Sequence, residues 1–293
     1  MTGGSPLALG SLDPGAANPF GPGSTIRRVV GEPVMMLLYP RALAMQVAHA
    51  SVAAAVAEHS QFKHRPVSRL WATSDAALRL VFGTGPEPMG AAREIYRFHD
   101  GIHGAGEAGP YTAHDASLLL WVWATLVDTC DVGFTRWVRP YRSGEGERFY
   151  QDMCAFARFF GIPASLIPSD RAAFAAYLDR MMAGDQLAST AASIRLAHEI
   201  LWFRKWFLPP GAVAPLRVLA IGTLDSRVAA RLGLTLDPYE MRLFASLDGL
   251  LRLGYARLPL QRTRLPYGYL TLRRLAERFV PAPPPDDTAN GIR

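Results

Sequence analysis

The sequence is poor in cysteine and in charged residues. Only two of the 293 residues are cysteines. Cys130 and Cys154 form no CxxC pair, which excludes a disulfide-rich secreted scaffold. Charged residues make up 19% of the chain and hydrophobic residues 49%, so the chain can bury a large core and is not disordered as a whole. The length suits one large domain or two small ones.

Long apolar segments and targeting signals are also scarce. The longest stretch without Asp, Glu, Lys or Arg covers residues 42–57, which is shorter than the ~18–20 residues that a membrane-spanning helix needs. The first residues show neither the basic cluster nor the long apolar core of a signal peptide. We therefore expect a soluble, cytoplasmic protein without a membrane span.

The signatures of several enzyme classes are missing. No GxGxxG follows a strand pattern and no GxxxxGK[ST] occurs, which argues against Rossmann and P-loop nucleotide enzymes. The absence of GxSxG and HExxH argues against serine-hydrolase and zincin chemistry. Because CxxCH is absent as well, any haem would be bound non-covalently through an axial side chain, usually histidine.

Basic charge is present and comes almost entirely from arginine. The chain has 31 basic and 25 acidic residues, a formal net charge of +6, and only Lys63 and Lys205 are lysines. The arginines are spread along the chain and are densest between residues 252 and 278, which favours a solvated surface and no nucleic-acid partner. A nucleic-acid face, or arginines that pair with the carboxylates or propionates of an acidic ligand, are the alternatives.

Helical patterns fill the chain between two tails rich in Gly and Pro. Residues 1–23 and 281–293 read as flexible tails, and residues 24–280 as one all-α domain without a large sheet. Start and stop signals predict helices over residues 41–60, 67–83, 89–104, 117–140, 144–160, 170–184, 189–208 and 239–254. The helix at 117–140 is apolar nearly all round in its first half and should be central and buried.

Two helices carry the candidate site residues that local pattern alone suggests. His99 and His103 are four residues apart on one predicted helix, so they share a face and could bind a metal or haem; His103 could instead cap the helix end. His49 lies in an apolar helix, either as a core histidine with one hydrogen bond or as a pocket residue.

Other polar side chains have more ordinary expectations. Asp128 falls within the buried helix and needs a partner, most simply an arginine, for which Arg69 and Arg79 are candidates. His114 should be neutral or solvated in the first turn of its helix, and His198 should lie on a surface or in a groove.

Four segments follow one another in an order and spacing that resemble the MpaB/rubber oxygenase family, which includes latex clearing protein. The resemblance covers residues 27–210. It is carried by PRALAMQVAHASVAAAVAEHSQF, RLWATSDAALRLVFGT, REIYRFHDGIHG and YTAHDASLLLWVWATLVDTCDVGFTRWV.

The resemblance implies a globin-like all-α domain that encloses haem b. The family's axial histidine, in a motif of the type VRxxHxxV, corresponds to His99 in IYRFHDGI. On the distal side, RLWAT aligns Arg69 with the family's arginine and Thr73 with its threonine. Ala72 stands where the family has lysine, and Tyr96 stands where the family has an arginine beside the axial histidine, so this chain departs from the pattern of polyisoprene-cleaving members.

These expectations together predict a haem-dependent oxygenase or desaturase. His99 would bind the iron, and dioxygen or peroxide would react on the opposite side near Arg69, Thr73 and His49. The substrate should be small and largely apolar, and residues 211–280 should form helices that close the far side of the pocket. The alternatives are a haem-binding or sensing protein without turnover, and a non-haem metal protein that uses His99 and His103; assembly into a homo-oligomer is left open.

Overall fold

The structure is a computed structural model, and it describes residues 18–59, 75–187, 189–202 and 210–255. The predicted tail at 281–293 and the helices expected over 256–280 lie outside these residues. The element order, with helices throughout and one two-stranded sheet, supports a mostly α single domain, as predicted.

Helices dominate the described part of the chain, and one short hairpin interrupts them. In chain order they are α1 (Thr25–Val30), a 3₁₀ helix (Pro33–Leu38), α2 (Tyr39–Val47), α3 (Ala50–His59), α4 (75–82) and α5 (Glu87–Asp100). The strands β1 (His103–Gly106) and β2 (Gly109–Thr112) follow. The remainder comprises α6 (Ala116–Gly133) with a π-helical turn (Phe134–Val138), α7 (Glu145–Arg158), α8 (Arg171–Ala183), α9 (Ala191–Leu201), α10 (Pro210–Thr223), α11 (Ser226–Arg231) and α12 (Pro238–Gly254).

Helix α6 is the central helix, as its apolar sequence predicts. Its N-cap is Asp115, whose carboxylate accepts a hydrogen bond from the backbone N–H of Ser117 at 2.7 Å; this satisfies one of the helix's unpaired donors. Trp121 and Trp123 are buried completely or nearly so, and α6 packs against α2, α7 and the 3₁₀ helix. The core therefore forms around this helix.

The same helix departs from the expectation that no segment is long enough to cross a membrane. Ala116–Val138 is a continuous helical stretch of 23 residues that is long and apolar enough by composition, and 61% of its most apolar window is buried inside the fold. The uncharged run within this helix is shorter than the helix itself, because Asp128 and Asp131 interrupt it. Such burial is usual for the core helix of a soluble protein, which passes the same test.

The N-terminal boundary also differs from the prediction. Of the expected tail, Asn18 and Phe20 pack on the fold: Phe20 is 1% exposed, and the side-chain amide of Asn18 donates to the backbone carbonyls of Val81 and Gly83 at 3.2 and 2.9 Å. Residues 1–17 lie outside the described part. Phe20 packs against Phe156 and Phe159 in the core. The Pro- and Gly-rich sequence around Phe20 does not predict this packing.

The single helix predicted over residues 41–60 is two helices. The chain turns at Ala48 and His49, between α2 and α3. No proline or glycine marks this break, so it is a consequence of tertiary packing, which can override local propensity. Helix α2 contacts α6, α9 and α10, whereas α3 contacts α9 and the hairpin.

The β1–β2 hairpin was not predicted, and its glycines explain why it forms. Gly106 pairs with Gly109 across a two-residue turn. Gly109 has a φ of 102°, a backbone angle that residues other than glycine rarely adopt. A Cβ on Gly104 would meet the Tyr111 hydroxyl at 2.6 Å, and one on Gly106 would meet the Ala54 Cβ at 2.5 Å. The alternate glycines therefore let one strand face lie directly on α3, and the GxGxxG spacing here makes a hairpin rather than a phosphate loop.

The second half of the chain follows the predicted starts and stops closely. Asp237 and Glu240 form a full capping box at the start of α12, where the sequence predicts a helix start. Helix α8 begins at Arg171, one residue later than expected, because Asp170 is its N-cap. The helix predicted over 189–208 begins at Ala191 and ends at Leu201, and residues 203–209 lie outside the described part.

A buried ion pair ties α2 to α6. The guanidinium of Arg41, 2% exposed, donates to the Asp128 carboxylate at 2.6 Å, to the Thr129 hydroxyl at 2.7 Å and to the Thr223 carbonyl at 3.0 Å. Asp128 thus has an arginine partner, as predicted, and that partner is Arg41; the candidate Arg69 lies outside the described residues. Arg79 pairs instead with Asp75 and Glu94.

Candidate functional site

His99 lies on the inward face of α5, in its last turn. Met89, Ala91 and Ala92 of this helix are buried, and Ile95 and His99, both half-buried, continue the same apolar stripe at helical spacing. The helical spacing thus places the His99 imidazole at the end of a face that is lined by small and apolar side chains.

A backbone hydrogen bond fixes the tautomer of His99. Its Nδ1 lies 2.7 Å from the carbonyl oxygen of Ile95. Because a carbonyl oxygen only accepts, Nδ1 carries the proton, and the lone pair of the neutral ring is on Nε2. A backbone carbonyl on one nitrogen is the usual means by which proteins orient a histidine whose other nitrogen binds a metal.

His103 does not share a helix face with His99, so that prediction is wrong. Helix α5 ends at Asp100, and His103 begins strand β1, where its side chain is exposed. The helix ends early because the Gly-rich segment that follows is committed to the hairpin. The carbonyl of His103 accepts a hydrogen bond from His59 Nε2 at 3.0 Å.

His114 is a site residue that local sequence reasoning missed. It precedes the Asp115 N-cap rather than lying inside the helix, and its Nε2 donates to the Asp100 carboxylate at 2.9 Å. Its ring centroid lies 4.5 Å from that of Tyr96 and 6.3 Å from that of His99. The contact joins positions 100 and 114 across the hairpin, and only the hairpin's presence could have signalled it.

His49 lies half-buried at the break between α2 and α3. Its Nδ1 accepts a hydrogen bond from the backbone N–H of Ser51 at 3.3 Å, so the proton of the neutral ring is on Nε2, the opposite tautomer to His99. Burial lowers the pKa of His49, and the nearby Asp115 carboxylate offsets part of that shift. His49 is therefore neutral near pH 7 and presents an N–H donor.

The end of α3 connects to the same region through the hairpin. The Tyr111 hydroxyl on β2 donates to the Glu58 carboxylate, and burial together with this carboxylate raises the pKa of Tyr111 to about 12. The ring of His59 stands edge-on to Tyr111 at 6.2 Å. The hairpin, the ends of α3 and α5, and the segment before α6 thus bring four histidines of the described chain together: His59, His99, His103 and His114.

The remaining predicted site residues lie outside the described part of the chain. Arg69 and Thr73, as well as Ala72, fall within residues 60–74, which directly follow His59. Within the described ranges, no group of three or more His, Cys, Asp or Glu side chains is arranged to hold a metal ion. Of the described histidines, His198 lies apart on α9, where its ring stacks on Trp202 at 4.6 Å.

Comparison with known proteins places the chain in a family. A model described as the catalytic domain of ER-bound oxygenase mpaB/B' and rubber oxygenase matches residues 27–253, which contain all of the described helices from α2 to α11 and nearly all of α12. Searches of curated proteins and of solved structures found no match. The chain therefore belongs to the mpaB/rubber oxygenase family, whose catalytic domain is an oxygenase.

Proposed function

We propose that this protein is a haem b-dependent oxidoreductase, an oxygenase or a desaturase, in which His99 is the axial ligand of the iron. The observation that carries the proposal is the Nδ1–H hydrogen bond from His99 to the Ile95 carbonyl, because it leaves the Nε2 lone pair directed away from its own helix turn.

The stripe of α5 that ends at His99 is apolar, which is the character that a haem-binding face requires. Ala91 and Ala92 are buried on the same face of α5 and have small side chains, and the stripe contains no charged residue before His99. When bound, a haem would supply the redox chemistry on dioxygen or peroxide, and the protein would supply binding, orientation and electrostatics.

Other residues of this chain would act on protons and on the cofactor's acidic groups. By its likeness to family members, Arg69 would hold a propionate or hydrogen-bond to the oxidant, and Thr73 would donate a hydrogen bond beside it. The neutral His49, with its proton on Nε2, would donate a hydrogen bond to an oxygen atom in the pocket or hold a proton there. His103, on the exposed strand β1, is not part of this set.

The substrate class follows from the lining that the helices offer. Leu and Trp side chains make up half of the buried residues of α6, and burial of apolar surface favours apolar ligands. We infer that the substrate is small and largely apolar. We also propose that the protein is cytoplasmic, with no nucleic-acid partner and no membrane-spanning segment.

Haem titration of the purified protein tests the proposal. We expect a Soret band that saturates at one haem per chain, a strong loss of affinity in His99→Ala, and unchanged affinity in His103→Ala. Equal haem affinity in wild type and His99→Ala would overturn the ligand assignment, and stoichiometric zinc or non-haem iron in its place would favour a non-haem metal protein.

Turnover separates an enzyme from a haem carrier or sensor. The haem-loaded protein is supplied with dioxygen and a reductant, or with peroxide, and with a panel of small apolar compounds. Steady formation of an oxygenated or desaturated product supports catalysis. Haem binding without any product from the panel would favour binding or sensing alone.

A further inference from the structure

Three side chains form a clasp at the last turn of α5. Tyr96 and Asp100 are four residues apart on α5 and therefore lie on one face. The ring of His114, which comes from the segment before α6, packs against Tyr96 at 4.5 Å between centroids and donates from Nε2 to Asp100 at 2.9 Å. Tyr96, Asp100 and His114 are called the His114 clasp below.

The clasp connects the C-terminal end of α5 to the segment that precedes α6. The last turn of a helix has carbonyls without intrahelical partners and frays readily. At the C-terminal end of α5, the backbone N–H groups of Gly101 and Ile102 donate hydrogen bonds to the His99 carbonyl. At the other end of the clasp, His114 precedes the Asp115 N-cap of the buried helix α6. The clasp thus holds the end of α5 to the start of the buried central helix α6.

His99 lies inside the turn that the clasp holds. It precedes Asp100 directly, its Nδ1 bonds to Ile95 one residue before Tyr96, and its ring stands edge-on to His114 at 6.3 Å. A shift of this turn would move both the imidazole and the carbonyl that sets its tautomer. The side chain of His114 itself bounds one side of the space in which the His99 ring can rotate.

We propose that His114, through Asp100 and Tyr96, is a positioning residue that fixes the last turn of α5 and the orientation of the His99 ring. The consequence for cofactor binding rests on the proposed function, whereas the order of the turn is a property of the protein without cofactor. The two parts can therefore be measured separately.

Two variants weaken the clasp in different ways, and one conserves it. His114→Phe keeps a ring against Tyr96 but removes the donor to Asp100. Asp100→Ala removes the acceptor, and Asp100→Asn keeps an acceptor oxygen. The matched control is His198→Phe, the same substitution at a histidine that also stacks on an aromatic ring but lies on α9, outside the clasp.

The first readout is amide hydrogen exchange over residues 95–102 in the full-length protein without haem. Since Asp100 is largely exposed, its bond to His114 is worth the lower range of a hydrogen bond, and we expect about two- to threefold faster exchange in His114→Phe and Asp100→Ala. Asp100→Asn and His198→Phe should exchange at the wild-type rate, and circular dichroism verifies that all variants are folded.

The second readout is the rate at which haem leaves the loaded protein to an excess of apomyoglobin. We expect release about tenfold faster in His114→Phe, as is common when the group that orients a metal ligand is lost, and a wild-type rate in His198→Phe. Asp100→Asn should restore slow release, which a general loss of packing would not do.

The outcomes separate the inference from the function on which it rests. Faster exchange confined to residues 95–102 in the two clasp variants supports the clasp. Unchanged exchange in both overturns it, with or without haem. If wild type takes up no haem, the proposed function falls, and the exchange result alone decides whether the clasp orders the turn. Faster exchange with unchanged haem release would overturn the positioning of His99.

Discussion

Removal of the Arg41 side chain should destabilise the whole fold. The guanidinium is 2% exposed and its Asp128 partner 18% exposed, so solvent screens their interaction weakly. Arg41→Met leaves the carboxylate without its cation and takes donors away from the Thr129 hydroxyl and the Thr223 carbonyl. Breaking a buried pair in this way costs about 3–5 kcal/mol. With a urea dependence of about 3 kcal/mol per molar, the unfolding midpoint should fall by about 1–1.7 M.

Urea titration followed by circular dichroism measures this cost, and two further variants make the result interpretable. The double variant Arg41→Met, Asp128→Leu should recover much of the lost stability, because no unpaired charge stays buried. Arg227→Met removes an arginine that is 41% exposed and pairs with Asp179 and Asp225 at the surface, and it should change the midpoint little. A loss in Arg41→Met as small as that in Arg227→Met would refute the reasoning.

Three shorter predictions concern other parts of the molecule. The pKa of Glu145 is held well below its ordinary value of 4.5, chiefly by hydrogen bonds from Arg139; its contribution to stability is complete above pH 4.5 and is lost as the pH falls toward the folded-state pKa, so acid unfolding should be less steep in Glu145→Gln. Gly104→Ala should destabilise the hairpin by about 1–3 kcal/mol, because its Cβ would meet the Tyr111 hydroxyl at 2.6 Å; thermal unfolding measures the loss, and a variant as stable as wild type would contradict the tight contact. Burial raises the pKa of the Cys130 thiol to about 12, so in native protein at pH 8 iodoacetamide should leave Cys130 unmodified by mass spectrometry, and rapid labelling would show that the thiol is accessible.

The helices could be predicted where their ends have chemical signals of short range. The capping box at the start of α12 and the N-cap of α6 are local, since a side chain satisfies backbone donors two or three residues away. The burial of α6 follows from its composition, because a helix that is apolar nearly all round has no stable exposed face.

The misses share a different cause, which is contact between distant residues. The break at His49 has no helix-breaking residue and depends on how α2 and α3 pack. Arg41 and Asp128 are 87 positions apart, and no local pattern selects that pair over Arg79. The hairpin is intermediate: its glycines are visible in the sequence, but their need for close approach to Ala54 appears only in three dimensions.

The candidate site divides in the same way. The family resemblance assigns His99 as the axial ligand. The sequence does not indicate the tautomer of His99, because the tautomer depends on the contact between Nδ1 and the Ile95 carbonyl oxygen, which only the structure shows. No local pattern indicates a site role for His114, because its partner Asp100 lies across the hairpin. Once the hairpin is known, the pairing of His103 with Thr112 brings the residues on either side of the two strands together.

Chemical rescue of the haem spectrum tests the bond between His99 and iron most directly. His99→Gly leaves a space that free imidazole can fill, and His49→Gly provides a matched loss of a histidine elsewhere in the fold. We expect wild type and His49→Gly to take up haem with a full Soret band, and His99→Gly to do so only after imidazole is added. A His99→Gly variant that binds haem with the wild-type spectrum in the absence of imidazole would contradict the account.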